Sequence, residues 1–96
     1  MDEDTDTTTI ALGKVVATPG ALTELERAGE CYLGYLARHA GRDYGDISPE
    51  DWEENEFSVL RELRVLSAYT LQNGAKIWII TEADRSGTTI LLPEEY

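Results

Sequence analysis

The apolar positions change period twice along the chain. Between Ile10 and Ala17, the residues Ile10, Leu12, Val15 and Val16 suit a short strand, kinked or bulged at Gly13. Thr18-Pro19 then supplies a capping hydroxyl and a first helical residue, predicting a helix to about Ala28 with Leu22 and Leu25 turned inward. Gly29 breaks it. Leu33, Leu36 and Ala37, with Tyr32 alongside, recur at helical spacing, so a second helix covers Glu30 to Ala40 and Gly41 stops it. After the loop 41–47, Ser48-Pro49-Glu50-Asp51 opens a third helix: a capping Ser, a Pro, then two acids at the positive end of the dipole. Running to about Leu63, it places Trp52, Val59, Leu60 and Leu63 on one stripe. Glu56 falls in the middle of that stripe. Either the first two turns overhang the body or Glu56 meets a polar partner; we expect the overhang.

The last third alternates as strands do. Arg64–Leu71 and Lys76–Glu82 flank Gln72-Asn73-Gly74-Ala75, and Asn-Gly is a strong hairpin signal. A two-residue turn there pairs Tyr69 with Trp78, Ala68 with Ile79 and Leu66 with Thr81. A second loop, 83–87, leads to a strand Thr88–Leu92, which Pro93 ends. In that register one face shows Leu66, Ala68, Ile77, Ile79 and Leu91 to the helices. The other shows Tyr69, Trp78, Ile80, Ile90 and Leu92, too apolar to sit bare in water. This second face is the expected site of self-association as a homodimer, or of partner binding. The fold class is therefore α+β: a short N-terminal strand, two or three helices, then a three-stranded antiparallel β-meander.

At 96 residues the chain holds one domain. We divide it into an acidic disordered tail, residues 1–9, and a single α+β domain, residues 10–96. The charge is unevenly spread. Residues 1–9 carry four acids and residues 43–56 carry seven, with no base in either segment; together these equal the net charge of -11. Elsewhere acids and bases balance. Without a cluster of Lys and Arg to neutralise phosphates, direct nucleic-acid binding is disfavoured, and an anionic membrane repels the chain. The acids Asp51, Glu53, Glu54 and Glu56 form a candidate binding strip for a cationic partner, such as the basic groove of a nucleic-acid-binding protein. Surface acidity also serves solubility alone.

Candidate chemistry is sparse. The single cysteine, Cys31, has no partner sulfur and sits in the apolar stretch CYLGYL, reading as a small buried hydrophobe. One Cys and one His do not make a structural zinc site, and no phosphate loop, nucleophile elbow or calcium loop is present. No cofactor or metal is expected. With neither a secretory signal nor a long apolar run, the expected location is the cytoplasm. His39, Glu82 and Arg85, with Asp84, Arg64 and Tyr69 nearby in the pattern, are the one set resembling a catalytic group: a base, an acid and a phosphate clamp for metal-independent RNA cleavage. A small nuclease or toxin-like enzyme is thus the alternative to a non-enzymatic binding protein.

The segments RVLSAYT (64–70) and KIWIITEADRSGTTILLPEEY (76–96) resemble a family of small bacterial "plasmid-related" proteins of plasmids and integrative elements, some labelled as a type I restriction subunit. The resemblance runs from about Leu12 to Tyr96 and is most specific over 80–96. Where that family tends to read H-x-x-G-D-W-G, this chain has His39-Ala40-Gly41-Arg42-Asp43-Tyr44-Gly45, departing at Arg42 and Tyr44. A Gly common in the family before the Arg-Val-Leu-Ser strand is replaced by Glu62-Leu63. The resemblance implies a mobile-element setting and no particular mechanism. The expectation is an acidic accessory protein acting by protein–protein binding, in the form of a decoy or inhibitor of a host or defence protein that handles nucleic acid.

Apart from Met1, residues 1–9 offer no apolar side chain, so their removal should leave the fold intact. A loss above about 1 kcal/mol in a denaturant titration of the truncated chain would show that this segment is docked.

Overall fold

The computed structural model describes residues 9–96, so all but the last residue of the expected tail lies outside the described residues. The order of elements is β1 (Lys14–Ala17), α1 (Pro19–Ala28), α2 (Tyr32–Ala40), α3 (Pro49–Arg61), β2 (Val65–Thr70), β3 (Lys76–Thr81) and β4 (Gly87–Leu91), then a 3-10 turn at Pro93–Glu95. The α+β class and the antiparallel β2–β3–β4 meander are as predicted. The sheet has one strand more than the meander: its order is β1-β4-β3-β2, and β1 runs parallel to β4. Gly13 makes the entry to β1 feasible. It sits at φ +65°, where a Cβ would lie 2.5 Å from the backbone of Arg85 and Ser86.

The hairpin is one residue longer than predicted, and this moves side chains between faces. Gly74 N–H donates to Leu71 O and Leu71 N–H to Ala75 O, so Gln72-Asn73-Gly74 is a three-residue loop. Only Gly74 takes positive φ, at +89°; Asn73 does not, which excludes the two-residue turn that needs both. Tyr69 therefore pairs with Ile77, Ala68 with Trp78 and Leu66 with Ile80. A slip of one residue exchanges the faces. Tyr69 and Ile90 lie buried beneath the helices, and Leu92 packs against the same cluster, instead of sharing the outer face with Trp78 and Ile80. Leu66, Ala68 and Leu91 take the outer face in their place. There the chain end folds Tyr96 against Trp78, ring centres 5.5 Å apart.

Helices α1 and α2 cover the inner face. Thr18 caps α1 by accepting from Ala21 N–H at 3.1 Å, and Gly29 closes it in the left-handed conformation. Ala21 and Leu25 point inward, whereas Leu22 is exposed; in α2, Tyr35, Leu36 and His39 are buried and Leu33 is exposed. The amphipathic stripe of each helix lies about one position away from the predicted one. Cys31 precedes α2 as its N-cap and is exposed, not buried.

Helix α3 lies along the open edge of β2 rather than over a face. Its buried residues are Asn55 and Ser58, while Leu60 and Leu63 of the predicted stripe are exposed. The reason is the strand edge. Asn55 Nδ2 donates to Leu66 O at 2.7 Å and its Oδ1 accepts from Leu66 N–H at 3.3 Å, so one amide does the work of a neighbouring strand. Two residues on, Ala68 N–H donates to Tyr44 O and Ala68 O accepts from Asp46 N–H, at 3.0 and 2.6 Å. Edge groups that would otherwise template aggregation are thereby occupied. Asn55→Ala strips both bonds from Leu66 and should cost about 1–3 kcal/mol in chemical denaturation. Asn55→Asp, which keeps only the acceptor, should do no better; a loss below about 0.5 kcal/mol in both would contradict the edge role.

Candidate functional site

Of the residues predicted as a catalytic set, His39 and Arg85 are engaged in holding the fold. His39 is 0% exposed, between α2 and the inner face of the sheet. Its Nδ1 lies 2.6 Å from Ser67 Oγ and its Nε2 2.8 Å from Thr81 Oγ1; Thr81 Oγ1 is 2.7 Å from Thr88 Oγ1, which donates to Leu12 O at 2.8 Å. A carbonyl only accepts, so the protons are assigned from that end: Thr88 donates to Leu12, Thr81 to Thr88, and Nε2–H to Thr81. Fully buried with hydroxyls as its hydrogen-bond partners, the imidazole is neutral, so Nδ1 accepts from Ser67. Burial, aided by the positive charge of Arg85, depresses its pKa to about 4.

Arg85 is equally committed. Held at φ +61°, it donates to Leu63 O at 2.7 Å, to Glu82 O at 3.1 Å, to Ala83 O at 3.2 Å and to Ser58 O at 3.4 Å. Ser58 O and Leu63 O belong to the end of α3, so the guanidinium serves as a C-terminal cap. Glu82 is exposed at the start of the β3–β4 loop, and Asp84 accepts from Ser86 N–H. His39, Glu82 and Arg85 do not face a common hollow. A general base that is shut off from solvent and bonded at both nitrogens cannot exchange protons with a substrate. In this arrangement His39 is a structural group.

The acidic strip is placed differently. Glu56 does meet a polar partner, while residues 49–54, the first turns of α3, are all exposed. Arg42 Nε donates to Glu56 Oε2 at 3.1 Å, its Nη2 pairs with Oε1, and Tyr44 O–H donates to Oε2. The Arg42 guanidinium holds the Glu56 carboxyl below its usual range, while burial pushes the Tyr44 hydroxyl up. Gly41 ends α2 as expected, and the next residue, Arg42, takes the left-handed conformation at φ +70° as its side chain reaches Glu56 on α3. Buried Tyr44 in turn meets the Trp52 ring edge-on at 5.2 Å. The result is an open hollow of about 430 Å³ lined by Ile47, Pro49, Trp52, Glu53 and Glu56. Its floor is apolar and its rim acidic. Glu50, Asp51, Glu53 and Glu54 remain exposed around it. Sequence reasoning reached the acids but missed Ile47 and Pro49 as their apolar neighbours; the apolar Ile47 inside an acidic loop was the available signal.

Elsewhere among the described residues no cluster of His, Cys, Asp or Glu has the arrangement of a metal site, and no helix is long and apolar enough to cross a membrane. Comparison with family models, curated proteins and solved structures yields no match for this chain.

The neutral His39 has a measurable signature. Between pH 6.5, where the unfolded imidazole titrates, and pH 4, the unfolded chain binds a proton that the folded chain refuses. Stability should be flat above that window and fall through it as pH drops, by up to about 3 kcal/mol. Carboxylates held low, such as Glu56 and Asp43, act only below their own ordinary values of 4.5 and 3.8. In His39→Gln, denaturation midpoints at pH 7, 6 and 5 should lose the slope; an unchanged slope would contradict the assignment.

Proposed function

We propose that this protein is a non-enzymatic, cytoplasmic accessory factor of a mobile genetic element, and that it acts by binding a basic protein surface. The observation that carries the reading is the hollow beside α3, where Trp52, Ile47 and Pro49 form an apolar floor beside the carboxylates of Glu53 and Glu56. Aromatic side chains with one exposed face serve as anchors at protein interfaces, and fixed charges around them set orientation and on-rate. Such a site fits a segment with one apolar side chain flanked by Lys or Arg. Surfaces of that composition occur where proteins grip nucleic acid, so occupation by this chain would act as a decoy. The Arg42–Glu56–Tyr44 contacts support this use by fixing the Trp52 wall before a partner arrives.

The test uses a Trp78→Phe background, leaving Trp52 as the sole indole, and a basic peptide with one central Leu. Titration should give a saturable change in Trp52 fluorescence that is lost near 1 M salt, where the Debye length is about 3 Å. Glu53→Gln with Glu54→Gln should weaken it about tenfold, whereas the same charge change at Glu24 and Glu26 should not. Equal weakening by both pairs would reduce the effect to net charge and overturn the site.

A further inference from the structure

The outer face of α3 carries a second pattern, one that the basic-partner reading does not use. At 100° per residue, Glu50, Glu53, Glu54, Phe57, Leu60 and Arg61 fall within an arc of roughly 120°, with buried Asn55 on the opposite side of the helix. Phe57 sits at the centre of this face and Leu60 at one edge. Leu60 is 78% exposed, more than any other large apolar side chain described, and Phe57 is 50% exposed. The acids occupy the N-terminal half, and Arg61 closes the C-terminal end with its guanidinium 4.8 Å from the Phe57 ring centre. Among the described residues Arg61 forms no ion pair.

A face that is acidic, then apolar, then basic is the complement of itself read backwards. We infer that two copies of this chain associate through α3, packed antiparallel about a twofold axis at Phe57, with Glu54 of each copy meeting Arg61 of the other. Glu54 and Arg61 lie three residues before and four residues after Phe57, on the same side of the seam, so the axis brings one to about the level of the other, roughly 5–6 Å along the helix from the axis. Phe57 then stacks on its symmetry mate, and Leu60 lies against the stem of Glu53 of the second copy. Isologous interfaces require this reciprocity: if one position contacts another, the second must contact the first. The charge order also selects the antiparallel arrangement, since a parallel one sets Glu54 beside Glu54. A foreign helix would have to reproduce the same order, whereas a second copy carries it already.

The contact is one 13-residue helix per copy, and each copy bears a net charge of -11. The dimer is therefore of the small, reversible kind, below about 1,200 Å² in total, and is populated at roughly 0.1–1 mM. Glu53 also borders the hollow beside Trp52, so self-association and basic-partner binding compete. The dimer nonetheless stands without the partner reading.

Sedimentation equilibrium up to about 1 mM should show the mean mass of the wild-type chain rising from 10.7 kDa toward twice that value. Glu54→Arg and Arg61→Glu each place like charges opposite one another and should stay monomeric, with helical circular dichroism confirming that these surface variants fold. Mixed in equal amounts, the two should recover the dimer, as should the double variant, because each then restores both pairs. A monomeric wild type, dimers in either single variant at wild-type strength, or a mixture that remains monomeric would overturn the proposal. Arg61→Glu leaves the lining of the hollow intact, so it breaks the dimer while sparing binding of the basic peptide. Failure of one reading is thus distinguishable from failure of the other.

Discussion

At the centre of the interface between α2 and the sheet one buried imidazole, His39, has two nitrogens that reach Ser67 on β2 and Thr81 on β3, and through Thr88 on β4 reach the carbonyl of Leu12. Thr81 and Thr88 each both donate and accept, and the terminal carbonyl leaves only one direction for the protons between it and Nε2 to run. A buried polar chain that is complete adds specificity, and one that is broken leaves several groups unpaired at once. The approach to β1 is set by the same contacts, since Leu12 directly precedes the left-handed Gly13 that delivers the strand to β4. The parallel β1–β4 pair and the position of α2 are thus two ends of one constraint.

A second constraint is the exposed edge of β2. Asn55 and the Tyr44–Asp46 segment occupy it in place of a fifth strand, and this dictates how α3 is rotated. With its polar residues turned inward, the helix must present Phe57 and Leu60 outward. The acids at its N-terminus and Arg61 at its C-terminus share that outward face. Protection of the edge and exposure of an apolar, charge-graded surface are consequences of one rotation. Arg85 secures it by capping the far end of α3 from the β3–β4 loop.

Local signals were well legible in the sequence. Thr18-Pro19 and Ser48-Pro49 start α1 and α3 where expected, because the caps need only side chains three residues away. What failed was anything settled by distant partners. Asn73-Gly74 marked the hairpin, but whether Asn73 takes positive φ decides the register, and a slip of one residue carried Tyr69 and Ile90 from the outer face to the core. His39 read as a helix-end residue or a base because Ser67 and Thr81 lie 28 and 42 residues further along. The retrospective signal is that Ser67, Thr81 and Thr88 are polar at the inner phase of three successive strands. Asn55 and Glu56 misled for a related reason: polar residues at inward positions of α3 meet backbone edges and an arginine, where periodicity alone expects apolar contacts.

The account turns on the protonation of His39, which nitrogen-resolved NMR of its ring reads directly. The expected spectrum is that of a neutral imidazole protonated at Nε2, with Nδ1 accepting a hydrogen bond and no titration between pH 8 and 5. An Nδ1–H tautomer, or a midpoint near 6.5, would show that the imidazole is free of Ser67 and Thr81 and would contradict the way the helical layer is fastened to the sheet.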